Sequence, residues 1–352
     1  MIKHLSMKPT GWFQVGWSEE IPPGGVKPLK YFGHELVAFR TLAGELTILD
    51  AHCPHMGAHL GHGGKVQGDC IACPYHGWQF DTSGANAKIP YEDYTVNKKL
   101  RRWHVIEKHE CMFLWHDPAG GPPRDGWLAD LFDHDMVPAD PADFYPAYRN
   151  GAIVYKPGEK IHPQLINENG ADSAHFKYTH GAPVDPIILG FEGGGPVWKS
   201  SFGFRSAKTG QVALTHYARG SGVGLSFTVF HHHGSGKDKS LNNRLDNYGF
   251  NRRLILSATP IDDERTDLRV TYFFPRDHRS PEVMPQYVLD VAADTERLFE
   301  EDARIWRHQK FIQRPLFAKS DVEIYTALRK WSDQFYEVAG LPAGPMTVVE
   351  ES

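Results

Sequence analysis

The chain has 352 residues and a formal net charge of −5, with 41% hydrophobic and 23% charged residues. That is the composition of an ordinary globular protein with room for two domains, and the acidic balance argues against nucleic acid or anionic lipid as a general partner. Four cysteines do not make a disulfide framework, and the N-terminal MIKHLSMKPTGWFQ lacks the apolar core of a signal peptide. The longest uncharged stretch, GSGVGLSFTVFHHHGSG, is interrupted by Gly and His, so no membrane span is expected. The expected setting is a reducing, cytoplasmic one.

Residues 10 to about 116 read as short strands and turns, with HELVAFR and LTILDAHC forming a hairpin across a Gly-containing turn. HDPAGGPPRDGW (116–127), rich in Pro and Gly, reads as the end of that first module. EKIHPQLINENGADSAHFKYTH (159–180) follows, and then the strand candidates LSFTVF, RLILSAT and LRVTYFF. The pattern turns helical from 285 to about 310 and again over roughly 321–338. The order is a small all-β module, then a larger α+β one.

Between Cys53 and Trp78 lie three of the four cysteines and four histidines. Cys70 and Cys73 form C-x2-C, which with Cys53 and a histidine would suit a tetrahedral zinc. Alternatively, Cys53-x-His55 and Cys73-x2-His76 are two matched arms, each with one thiolate and one imidazole. Such arms suit two sulfide-bridged irons, the thiolates on one and the histidines on the other. Neutral imidazoles in place of two thiolates raise the reduction potential of such a cluster. The doubled arms favour the cluster, with Gly57, Gly77, Pro54 and Pro74 fitting two tight loops. Cys70 is then spare, and His52, His59 and His62 are expected at the surface or in packing.

An electron carrier needs about a hundred residues, so a second centre is expected in the rest. ENGADSAHFKYTH offers Glu168, Asp172, His175 and His180. On one helix Asp172 would share a face with both Glu168 and His175. His175 and His180 are about 140° apart on an ideal helix, so they reach one ion only if the helix ends or is distorted there. The Gly and Pro after His180 mark such an ending. Alone, the pair also fits hydrogen-bonded histidines at a helix end. In TERLFEEDARIWRHQKF, Glu300 falls on a charged face, whereas Asp302 has Leu298, Phe299, Ile305 and Trp306 as helical neighbours. A carboxylate in an apolar stripe needs an arginine or a metal. Two histidines and one carboxylate form the facial triad of iron(II) oxygenases, with coordination positions left open.

Cys53-x-His55 with Cys73-x2-His76, followed by Glu168-x3-Asp172-x2-His175-x4-His180, resembles the α subunit of a Rieske non-haem iron oxygenase over nearly the whole chain. CPHMGAHLGHGGKVQGDCIACPYHGWQF, EDARIWRHQKFIQRPLF and LRKWSDQFY are similar to the steroid-acting branch, the Neverland-type cholesterol 7-desaturases and the 3-ketosteroid 9α-hydroxylase oxygenases. The resemblance implies an all-β Rieske [2Fe-2S] domain over 10–120 and, over 121–352, a helix-grip-like α+β catalytic domain with an antiparallel sheet and C-terminal helices. It implies Cys53, His55, Cys73 and His76 on the cluster and His175, His180 and Asp302 on a mononuclear Fe(II). It also implies that Asp172 bridges to His76 of the partner subunit in a head-to-tail homotrimer. No N-terminal membrane span like that of the animal desaturases is expected. The expected function is the terminal oxygenase of a monooxygenase system, hydroxylating or desaturating a steroid with O2. A separate flavin and iron–sulfur reductase would supply electrons from NAD(P)H, since neither GSGVG (220–224) nor HHHGSGKDKS (231–240) has a nucleotide-binding context. An aromatic or other hydrophobic substrate is the alternative within this chemistry; an electron-transfer or zinc protein is the alternative outside it. HHH (231–233) reads as a polar strand end and NKKLRRW (97–103) as a solvated basic loop.

Overall fold

The structure is a computed structural model that describes residues 5–182, 186–206, 208–233 and 251–336. The N-terminal part is built from short strands: β1 (Gly11–Trp17), β2 (Val26–Tyr31), β3 (His34–Arg40), β4 (Leu46–Asp50), β5 (Lys65–Gln67), β6 (Cys70–Ala72), β7 (Gln79–Phe80), β8 (Asn86–Lys88), β9 (Arg102–Trp103), β10 (Val105–Lys108) and β11 (Cys111–His116). They form three antiparallel sheets in the orders β1-β11-β10, β2-β3-β4-β9 and β5-β6-β7-β8. The expected hairpin is β3 paired with β4. Alternation along β3 sends Leu36 and Ala38 into one core and Val37 and Phe39 into another, which also holds Cys53 and Cys73. A strand buried on both faces carries the apolar run seen in HELVAFR.

The larger part is one seven-stranded antiparallel sheet, from β12 (Ile153–Glu159), β13 (Ile187–Gly194), β14 (Val197–Arg205), β15 (Val212–Ser221), β16 (Leu225–His232), β17 (Arg252–Pro260) and β18 (Thr266–Phe273). Its order is β12-β18-β17-β16-β15-β14-β13. Two short helices, α1 (Gln164–Asn169) and α2 (His175–Tyr178), follow β12; α3 (Gln286–Trp306) and α4 (Val322–Ser332) follow the sheet. HHH ends β16 as expected, and GSGVG is the turn between β15 and β16. The glycine-rich segment 234–240 and the end of the second helical stretch at 337–338 lie outside the described residues. Among the described residues no helix is long and apolar enough to cross a membrane.

The sheet's period of two assigns its faces. Ser257, Thr259, Asp267, Arg269 and Thr271 face the N-terminal strands: Ser257 donates to Gln14, and Trp17 donates through Nε1 to Thr271 at 2.9 Å. Arg269 and Asp267 are buried there with Tyr31, whose hydroxyl contacts both at 2.7 and 2.9 Å. The alternate residues Leu254, Leu256, Val270 and Tyr272 face a cavity closed by α3. One sheet therefore joins the two parts on one side and builds the site on the other.

Candidate metal centres

The two Cys/His arms are closed by the same pair of backbone hydrogen bonds. In the first, Gly57 N–H donates to the Cys53 carbonyl at 2.9 Å and Cys53 N–H to Ala58 at 2.9 Å; in the second, Gly77 donates to Cys73 at 3.0 Å and Cys73 to Trp78 at 2.8 Å. Gly57 and Gly77 have φ of 75° and 71°, the left-handed region that glycine enters without steric cost. Both thiols are buried in apolar surroundings, and burial pushes the Cys53 thiol up. A thiolate there calls for a cation beside it. The His55 and His76 rings stand further out, 4.6 Å apart, with His55 stacked on Trp78 at 4.7 Å. His52 braces the first loop, bonded to the Gly57 carbonyl at 2.9 Å and to Glu35 at 2.7 Å. These two contacts, Gly57 first, hold its imidazole above its ordinary value.

Two thiols on the inside and two imidazoles on the outside suit a two-iron cluster. The zinc alternative fits poorly. Cys70 lies in β6, opposite Gln67. Among the described residues, no three of these cysteines and histidines bring their donor atoms within 4.8 Å of one another. A single tetrahedral ion needs that convergence.

The segment around Asp172 departs from the single helix face expected. Gly170 ends α1, and Asp172 sits in the bend before α2. There it organises His175 from both ends: its carboxylate accepts the His175 N–H at 3.1 Å, and its carbonyl accepts from His175 Nδ1 at 2.7 Å. That fixes the tautomer and leaves Nε2 as a lone-pair donor. Glu168 is held by Arg329 at 2.9 and 3.1 Å. The expected helix ending is present, since α2 stops at Tyr178 and Gly181 has φ +70°. It lets the His175 and His180 rings meet at 5.2 Å.

Asp302 on α3 completes the group. Its Oδ1 lies 3.2 Å from His180 Nε2, and the donor atoms of His175, His180 and Asp302 all lie within 4.8 Å of one another. Donors bound at roughly 2.1 Å to one octahedral ion stand about 3 Å apart when adjacent, so the spacing fits a metal. Asp302 borders the apolar stripe, with Leu298, Phe299 and Trp306 buried but Ile305 about half exposed. The neighbouring arginines are paired elsewhere: Arg297 with Glu301 and Asp294, and Arg307 with Glu159 and Glu300. Glu300, on the charged face expected, pairs with Arg307 and with Lys156 at 2.6 Å.

Glu301 was not singled out by its sequence neighbours. Its Oε2 meets His180 Nδ1 at 3.0 Å while Arg297 grips Oε1 at 2.7 Å. Burial alone would lower the His180 pKa, but Asp302 and then Glu301 raise it. For His175 burial prevails over Asp302 and Asp172, and the pKa is lowered.

The triad lies between two openings. On the sheet side is a mainly apolar cavity with Phe176, Phe230, Leu254, Val270, Leu298 and Phe299 in its wall. On the other is a polar cleft with Glu168, Asn169, Asp172, Thr179 and Tyr325. His175 and Asp302 belong to both. The cavity wall also holds His216 and Tyr272, which sit at buried strand positions that read as core in sequence.

The Rieske [2Fe-2S] domain family model matches residues 11–101, and that of the 3-ketosteroid 9alpha-hydroxylase C-terminal domain matches 114–336. Cholesterol 7-desaturase nvd of Drosophila melanogaster is 30% identical over 346 residues, covering 93% of this chain and 75% of its own length. The 3-ketosteroid-9-alpha-monooxygenase oxygenase component of Rhodococcus rhodochrous is 27% identical over 341 residues, covering 93% and 83%. Among solved structures, NdmA of Pseudomonas putida CBB5 with caffeine has a TM-score of 0.65 at 18% identity, covering 92% of this chain and 90% of that one. Dicamba monooxygenase bound to dicamba has 0.60 at 17%, covering 94% and 99%; both likenesses are of fold. With a Rieske domain followed by that C-terminal domain, the chain belongs to the Rieske oxygenases of the 3-ketosteroid 9α-hydroxylase type.

Proposed function

We propose that this chain is the terminal oxygenase component of a two-part monooxygenase system that hydroxylates or desaturates a steroid. In this reading Cys53, His55, Cys73 and His76 hold the [2Fe-2S] cluster, and His175, His180 and Asp302 hold a mononuclear Fe(II). The first domain spans 10–120 and the second 121–352. Held there, the cluster would supply single electrons and the mononuclear iron the means to activate O2 against an unactivated C–H bond. A separate flavin and iron–sulfur reductase, fed by NAD(P)H, and a cytoplasmic setting complete the system.

The observation that carries the reading is the place of the triad, between an apolar cavity and a polar cleft. The cavity holds the substrate and excludes water. Asp172 lies in the cleft, bonded to His175 and Tyr325, and is proposed to connect the triad to the cluster of the next subunit. Met56, Tyr75 and Tyr91 are exposed in the cluster domain; Tyr178, Ile305 and Leu316 are exposed in and beyond α2 and α3. Apolar surface of this kind supports docking of one face on the other in a head-to-tail homotrimer. The steroid assignment is supported by the two relatives above, both named for sterol or ketosteroid chemistry.

Metal and sulfide analysis with a steroid panel under labelled O2 tests this. Three irons and two sulfides per chain, with a labelled or newly unsaturated steroid, are expected; one zinc without sulfide would refute the assignment. Asp172→Asn is expected to keep all three irons while turnover falls at least a hundredfold, and normal turnover would remove Asp172 from the electron path.

A further inference from the structure

Away from the metal centres, the large sheet carries a second hollow. By alternation Tyr217 and Arg219 on β15 point away from His216, and so away from the face that bears the triad cavity. Together with Lys199 on β14, Phe191 on β13, and Asp135 and Met136 of the preceding segment, they line this hollow. Lys199 is the direct cross-strand partner of Arg219. Like charges placed opposite each other in a sheet repel. Glu192 on β13 is the other strand partner of Lys199, but its carboxylate comes only to 3.8 Å. His134 adds no charge, because burial and then Arg219 push its imidazole down to about 4.

Among the described residues one carboxylate answers both cations. Asp135 Oδ1 accepts from Arg219 Nη2, and its Oδ2 lies 3.3 Å from Lys199 Nζ. Burial alone would raise the Asp135 pKa, but Arg219 and then Lys199 hold the carboxyl below its ordinary value. The partners differ in depth: the Arg219 side chain is 10% exposed and that of Asp135 53%. A guanidinium this deep cannot turn to water, whereas a half-exposed carboxylate can. Asp135 lies in irregular backbone, and Arg253 pins that segment on either side by donating to the Leu131 and Val137 carbonyls at 2.5 Å each. The Asp135 side chain can therefore swing out to solvent while its backbone stays in place.

We propose that Arg219 and Lys199 form a second binding site, which takes a small aromatic carboxylate. The carboxylate of the ligand replaces that of Asp135 across the two cations, a charge-assisted contact, and its ring lies in the hollow against Met136 and Tyr217. Asp135 is a built-in competitor that caps the site when no ligand is there and subtracts from the ligand's affinity. The inference goes beyond the oxygenase reading and does not depend on it, since the site shares no residue with the triad or its cavity.

The test is calorimetric titration of the full-length holoenzyme with 2-naphthoate and with the neutral 2-naphthamide, which has nearly the same shape. The native protein is expected to bind the naphthoate at least tenfold tighter. Asp135→Asn, which removes the competitor, is expected to tighten naphthoate binding a further tenfold or more and to leave naphthamide unchanged. Lys199→Gln is expected to weaken naphthoate at least tenfold. Saturating naphthoate should also raise the melting temperature of Asp135→Asn more than that of the native protein, because it restores an anion between the two cations. A merely structural Asp135 gives a variant that binds no tighter than native, and that result overturns the inference. Equal affinity of the native protein for the two probes does so too, as does a naphthoate affinity that Lys199→Gln leaves at its native value. If Asp135→Asn does not fold, the native and Lys199→Gln titrations decide alone.

Discussion

Around Cys53 and Cys73 the backbone does the positioning: two turns close on themselves, and each side chain leaves its loop already aimed. Around His175, His180 and Asp302 the positioning is done by other side chains, with Asp172 fixing one imidazole and Glu301, held by Arg297, the other. The difference follows from task. A cluster that hands on electrons keeps its imidazoles near the surface, and short rigid loops can do that alone. A centre that admits both substrate and oxygen must leave coordination positions open, so its ligands are held from behind.

Both regions nevertheless hang on one frame, the face of the large sheet where Arg269, Asp267 and Tyr31 are buried together. Removing one partner of a buried pair leaves the other charge stranded, and Arg269→Ala is expected to lower folding stability by about 3–5 kcal/mol. Denaturation followed by the visible absorption of the cluster and by far-ultraviolet circular dichroism measures it. A change under about 1 kcal/mol, or two separated transitions, would show that the centres do not share this frame.

Breaking the side-chain support should separate the regions. Glu301→Gln keeps the size of the group but weakens its hold on His180 Nδ1. Mononuclear iron affinity is expected to fall about 10- to 100-fold, as for other outer carboxylates on metal-bound histidines. Cluster iron, sulfide and visible spectrum should be unchanged. Chelator competition with iron counted at each site reads both; loss from the two sites in parallel would mean that Glu301 acts on the whole fold.

How much of this was legible in sequence follows the same division. The two Cys/His loops could be read because cysteine, histidine, proline and glycine lie within six residues of each other, so spacing alone carries the turn geometry. The helix ending between His175 and His180 was legible from Gly181, and Asp302 from its apolar neighbours. The break at Gly170 was not, because Asp172 and His175 are three apart whether the chain is helical or bent. Glu301 and Arg297 are an ordinary i, i+4 surface pair until His180, 121 residues away, is brought against them. Tyr272 and His216 sit where alternation predicts core, and only polar atoms without hydrogen-bond partners among the described residues set them apart.

The smallest expected effect tests whether the two cluster loops, alike in hydrogen bonding, are alike in tolerance. Alanine at either left-handed glycine costs about 1–2 kcal/mol in backbone strain. At Gly57 an added Cβ meets nothing within 4 Å, whereas at Gly77 it comes to 3.0 Å from Pro90 Cγ. Gly77→Ala should therefore cost about 1 kcal/mol more than Gly57→Ala. Combining it with Pro90→Ala should bring the two loops level, because the excess comes from the proline ring alone. Thermal loss of the cluster absorption ranks the three proteins. If Gly57→Ala proved the more damaging, the left-handed turn at Gly57 would be under a constraint that local geometry does not reveal, and the equivalence of the loops would extend only to their backbone bonds.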